Sequence, residues 1–274
     1  MNNFKLGRIA PIWTPQHRQL AARIRVAFTS LGKPPATPYD YVSAVSDLVG
    51  PRWGMMLNDT WGDCTAADTG HTDMIVKANT GTWTHVPTDA EVIAFYSATT
   101  GFDAAKTDAN GDNPTDQGAV ESDVCDFLVS TGFLGNQAAV TAPIVMGAFD
   151  DKALEKIRWC IQLFGSCRIG VNLPKSAEPQ FERGAPWALG GDETVDGGHD
   201  VPFYNYEGDD FFGVTWGGQP NDARGLQRIT GDWLRKFGDE AHAVIYSNLV
   251  MSSGQTPAGF DMAQLTADLK ALAA

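Results

Sequence analysis

The chain has 274 residues, 43% hydrophobic and 19% charged, with Lys+Arg 20 against Asp+Glu 33 for a formal net charge of -13. That apolar content supplies a sizeable core and excludes a disordered chain, and the length points to one large domain or two closely packed halves. The acidic balance argues against a nucleic-acid partner, because phosphates would be repelled over most of the surface.

No run of about 18 apolar residues offers a membrane span. The first thirty residues interrupt every apolar stretch with Arg, Gln or Pro, so a secretory leader is not expected. Residues 1–50 read as an N-terminal arm. Within it 14–28 has helical spacing at Leu20, Ile24 and Phe28, and Lys33-Pro34-Pro35-Ala36-Thr37-Pro38 then forces an extended connector. A helix over 64–79 carries Ala66, Ala67, Gly70, Met74 and Ala78 on one small-residue face. Thr88-Asp89-Ala90-Glu91 is a capping box that opens another. Helices follow over about 118–131, with Val120, Val124, Phe127 and Leu128 in a row, and from near Asp150 to Gly165, with Leu154, Ile157, Ile161 and Phe164.

After Gly165 the period changes from helical to alternating. Ile169, Val171 and Leu173 face one way, and further strands are expected over 199–206, 210–216, 225–230 and 240–247. Helices first and strands second predict an α+β fold: a helical lobe over 51–165, then an antiparallel β-rich lobe over 166–250. A linker and a short amphipathic C-terminal helix, with Met262, Leu265, Leu269 and Leu272 on one face, complete 251–274. That face packs back on the domain or docks on another chain.

Cys64, Cys125, Cys160 and Cys167 show no C-x-x-C spacing and no clustered histidines, so neither a metal nor a cofactor is expected, and a reducing compartment fits. Cys125 and Cys160 read as small buried hydrophobes. The acidic stretch 108–116 fails the EF-hand pattern, with Asn113 where Gly is needed and Ala119 where the bidentate Glu is needed, and reads as a solvated loop. Cys64 is different: it falls in the first turn of a helix, where free amides and the helix dipole favour thiolate. His71, seven residues on, lies about 10 Å away along the axis and cannot serve as its base. His199 opens a strand after Gly197-Gly198, and a hairpin would bring Thr215-Trp216 to its side. His242, within an alternating strand, is the rival base, whereas His17 and His85 read as surface residues.

These residues resemble the papain-like (C1-type) cysteine peptidases. Asn58 stands six residues before Cys64, where that family has a Gln. Gly62 and Cys64 match its G-x-C core, and Phe181, Trp187, Gly198-His199, Tyr206, Trp216-Gly217 and Gly225 follow in family order over about 51–250. The N-D-x-x-G-D-C form also resembles uncharacterised papain-like proteins of bacteriophages and prophages.

The resemblance implies a two-lobed fold and a hydrolase of peptide or amide bonds. Cys64 would be the nucleophile, His199 the base, and the Asn58 amide with the Cys64 N–H the oxyanion hole. Trp216 would shield the histidine, and Trp61 and Gly62 would line the substrate site. The family's Asn that orients the histidine aligns with Val214, and Thr215 is the nearest hydroxyl. Asp63 would disfavour a thiolate if it pointed inward. About fifty residues precede the motif, enough for an arm but short of a long inhibitory segment. The alternative is a retained fold without strong catalysis, acting as a structural or interaction protein such as a phage virion component (capsid decoration or minor structural), either homo-oligomeric or bound to particle proteins through the arm and the C-terminal helix. Either reading places the protein in the bacterial host cytoplasm or in a virion.

Overall fold

The computed structural model describes residues 4–246, 248 and 249. The expected C-terminal helix lies outside these residues. In chain order come β1 (Arg8–Ile9), α1 (Pro15–Ser30), α2 (Ser43–Val49), α3 (Cys64–Thr80) and α4 (Asp89–Thr100). A short 3-10 turn leads into β2 (Ala119–Val120), α5 (Glu121–Ser130), β3 (Ala138–Met146) and α6 (Asp151–Phe164). The remainder is β4 (Cys167–Pro174), α7 (Ala177–Glu182), β5 (Val195–Glu207), β6 (Asp210–Gly213), β7 (Gln227–Ile229), α8 (Gly231–Phe237) and β8 (Gly238–Tyr246).

Six strands form an antiparallel sheet in the order β3-β8-β4-β5-β6-β7, and β1 and β2 form a separate parallel pair. The α+β class therefore holds. The local chemistry explains most helix ends: Thr14, Thr88, Asp150 and Thr230 accept amide hydrogen bonds at the starts of α1, α4, α6 and α8, and left-handed Gly81, Gly101 and Gly165 end α3, α4 and α6.

The core falls into two apolar clusters. One gathers the inner faces of α2, α3, α4 and α5 around Trp53, Met74, Tyr96 and Val124. The other lies between the sheet and α6, around Leu154, Ile157, Phe203 and Trp233. The alternating stretch of β4 behaves as its period requires, with Ile169, Val171 and Leu173 all buried.

Three features depart from expectation. The segment 138–146, for which no strand was expected, is an edge strand of the main sheet, and α6 packs in the sheet's own core. Strand β3 is buried on almost every residue, which leaves no alternation to read. The strand expected over 210–216 stops at Gly213, and the chain turns through Trp216 at φ 45. The acidic stretch 108–116 is largely exposed, but Asp116 turns inward to accept from the Tyr96 hydroxyl (2.8 Å) and the Gly62 amide (3.0 Å).

Candidate active site

Cys64 is the first residue of α3, which is buried on nearly all sides. A turn through Met56 and Leu57, both at positive φ, sets its approach. Arg168 of β4 holds the helix against the sheet. Its guanidinium contacts Asp68 at 3.1 Å, the Thr65 carbonyl at 3.1 Å and the Thr69 hydroxyl at 2.8 Å, and reaches Asp200 of β5 at 3.4 Å. One buried cation thus ties the first turn and a half of the cysteine helix to the histidine strand.

His199 sits on β5 opposite Val171. The β5–β6 hairpin, paired from Phe203↔Gly213 to Glu207↔Asp210, returns the chain beside it. The imidazole stacks on Trp216 at a centroid distance of 5.1 Å, and its Nε2 lies 2.8 Å from the Thr215 hydroxyl oxygen. Nδ1 is buried without a hydrogen-bond partner. The amide of Asp200, the next residue along, donates to Cys64 Sγ, as does the amide of Gly7. The Asp200 side chain points away, toward Arg168. Thiol and histidine strand therefore meet at one point, with a peptide group of the N-terminal arm beside them.

Both groups are neutral in this state. Burial pushes the Cys64 thiol up to about 12, and Asp63 and Glu121 add to the rise. Burial, with Arg8 nearby, pushes His199 down to about 3.

Asp63 does point inward. It is fully buried, its carboxyl is held well above the ordinary range by desolvation, and it accepts from Asn58 Nδ2 at 3.3 Å. Asn58 thus spends one of its two amide protons on Asp63. Trp61 packs against Phe102 at 5.1 Å, and Gly62 donates its amide to Asp116. His71 accepts from or donates to nothing near the thiol; it hydrogen-bonds the Gly54 carbonyl at 2.9 Å. His242, the rival base, pairs with Glu240 at 2.8 Å and stacks on Trp13. All four cysteines are free and buried.

The arm occupies the cleft, which the sequence reading missed. Residues 4–9 run between the lobes. Phe4 stacks on Trp216 at 4.3 Å, and its amide donates to Glu178. The Gly7 carbonyl accepts from Ala119 N at 2.7 Å, and β1 pairs with β2 in parallel. Glycines make the room. A Cβ at Gly7 would collide with the Gly62 carbonyl, one at Gly118 with the Gly7 carbonyl, and one at Gly198 with the Arg8 carbonyl. A handful of residues is enough to fill the cleft beside Cys64 and His199.

Among the described residues, Glu121, Glu240 and His242 place possible metal-ligand atoms within 4.8 Å of one another. The Arg8 guanidinium already lies on Glu240 there, at 2.7 Å.

No protein-family model and no curated protein sequence matches the chain. Solved structures do. Xylellain, a cysteine protease from Xylella fastidiosa, aligns over 89% of this chain and 98% of its own at TM-score 0.55 and 13% identity. Procathepsin B from Trypanosoma congolense aligns over 88% and 86% at TM-score 0.47 and 9% identity. The cysteine protease and lectin-like domains of Cwp84, a surface layer associated protein of Clostridium difficile, align over 86% and 60% at TM-score 0.42 and 11% identity. Taken with the mixed helix and sheet architecture, the likeness to xylellain identifies the fold of the chain as that of the papain-like cysteine proteases.

Proposed function

We propose that the chain is a cysteine hydrolase of peptide or amide bonds, held latent by its own N-terminal arm. The observation that carries this reading is the His199 environment: Nε2 on Thr215, the ring on Trp216, Nδ1 left without a partner, and the next backbone amide on Cys64 Sγ. Thr215 does the orienting job that an amide would do, by fixing which ring nitrogen is free.

In the reaction the Cys64 thiol proton passes to His199 Nδ1, and the sulfur attacks the substrate carbonyl carbon. The Cys64 N–H and the second Asn58 amide proton receive the oxyanion. Collapse breaks the C–N bond, and the imidazolium proton leaves on the amine. Water, deprotonated by His199, then hydrolyses the thioester and restores the thiol. Displacing the arm admits water and substrate, and the neutral pair becomes a thiolate–imidazolium pair. Trp61 and Gly62 form the rim on the helical side.

A second reading, a structural or interaction protein such as a phage particle component, is favoured by the neutral thiol and imidazole and by the engagement of Asn58 with Asp63. Peptidase assays of the wild type, Cys64→Ser and His199→Ala separate the two. Turnover lost in both variants supports the hydrolase; no turnover by the wild type after arm removal, together with co-purification in a symmetric particle, supports the second.

A further inference from the structure

We infer that the cleft contains a pocket for an arginine side chain, and that the substrate is an extended peptide carrying arginine; this deepens the hydrolase reading above and rests on it. The arm shows the pocket filled. The Arg8 side chain is 1% exposed, although Arg8 belongs to a strand of only two residues. Its NH1 lies 2.7 Å from Glu240 Oε1. Its NH2 lies 2.7 Å from Asp239 Oδ2, 3.3 Å from Asn172 Oδ1 and 3.4 Å from the Val171 carbonyl. Two carboxylates, an amide oxygen and a backbone carbonyl converging on one planar cation match the fork of a guanidinium and not the point charge of an ammonium.

Two further observations describe how the pocket is built. Gly170 of β4 leaves the gap through which the Arg8 stem passes, and a Cβ there would press on Arg8 Cδ, Glu240 Cγ and Glu121 Oε1. Glu121 of α5 is fully buried against the same gap, with both carboxylate oxygens lacking hydrogen-bond partners, so it closes the far side of the pocket. The net charge of -13 favours basic substrates on approach. The backbone wall beside the pocket, stripped to Gly62, Gly118 and Gly198, accepts a main chain and not a free amino acid alone.

The test uses the full chain with Arg8→Ala, which empties the pocket. N-acetyl-arginine amide is expected to raise its Tm by about 3 °C at roughly ten times its Kd, and the neutral isostere N-acetyl-citrulline amide is expected to leave it unchanged. Glu240→Gln added to Arg8→Ala is expected to abolish the shift. If Arg8→Ala fails to fold, the wild type serves: millimolar N-acetyl-arginine amide is expected to speed alkylation of Cys64 by displacing the arm, and the citrulline amide is not. Equal effects of the two amides, or none from either, overturn the inference. Acyl-dipeptide coumarin substrates with arginine or citrulline separate it from the hydrolase reading. Turnover without at least tenfold preference for arginine overturns the pocket and leaves the hydrolase standing. Arginine-selective binding with no turnover keeps the pocket and overturns the hydrolase.

Discussion

Arg168 on the histidine-bearing sheet pairs with Asp68, four residues after Cys64, at 3.1 Å, and both side chains are buried. The same guanidinium takes the Thr65 carbonyl. The helix start that bears Cys64 and the strand that bears His199 are therefore tied together by one buried cation. Arg168→Leu leaves Asp68 and Asp200 buried without their counter-charge and is expected to cost about 3–5 kcal/mol in urea unfolding. Adding Asp68→Asn should recover part of that loss, and an additive double variant would show that the pair does not couple the lobes.

The Thr215–His199 hydrogen bond makes a sharp expectation because it distinguishes hydroxyl from shape. Thr215→Val keeps the volume and removes the acceptor or donor at Nε2. Turnover is expected to fall by about tenfold to a hundredfold, while stability falls by only about 1 kcal/mol. Thr215→Ser should retain most activity. Equal kcat for the Val and Ser variants would remove Thr215 from the catalytic group.

Cleft occupancy by the arm is tested at Gly7, where any Cβ meets the Gly62 carbonyl. Gly7→Ala is expected to lift the arm and raise the rate of Cys64 alkylation by iodoacetamide at least tenfold. Mass spectrometry of the labelled peptide reads this directly. An unchanged rate would mean that the arm does not limit access to the sulfur.

Acid should weaken the folded state through His199. Its imidazole is held down at about 3 against an ordinary 6.5, so between those values the unfolded chain binds the proton that the folded chain does not. Stability then rises with pH across that window and is lost as pH falls. Asp63, Glu121 and Asp200, whose carboxyls are raised by burial, slope the other way above the ordinary carboxylate range. Comparing wild type with His199→Gln isolates the histidine. Below pH 6.5 the stability difference should change by up to about 1.4 kcal/mol per pH unit. A pH-independent difference would refute the assignment.

Local signals carried much of this structure. The Thr88–Glu91 box, the glycine stops, the alternation through Ile169, Val171 and Leu173, and Cys64 at a helix start each depend on neighbours in sequence, and each is where the pattern placed it. Trp216 beside His199 was legible because a hairpin is a short-range object. What escaped was long-range. Strand β3 shows no alternation because it is covered on both faces. Arg8 meets Glu240 across 232 residues, and no period announces such a contact. Gly118 falls in a stretch expected to be helical and nothing local marks Gly7 or Gly198, whereas the lack of a side chain at all three is what admits the arm. Glu121 lies in the first turn of α5, and no local signal marks its complete burial.

Cys64 as a nucleophile paired with His199 is tested most directly by the pH dependence of its alkylation in the full-length Gly7→Ala chain. A thiolate–imidazolium pair should give a rate that is already at its plateau below pH 7 and that His199→Ala shifts upward toward the ordinary thiol value of about 8.5. A profile that rises only above pH 8, the same with and without His199, would contradict it.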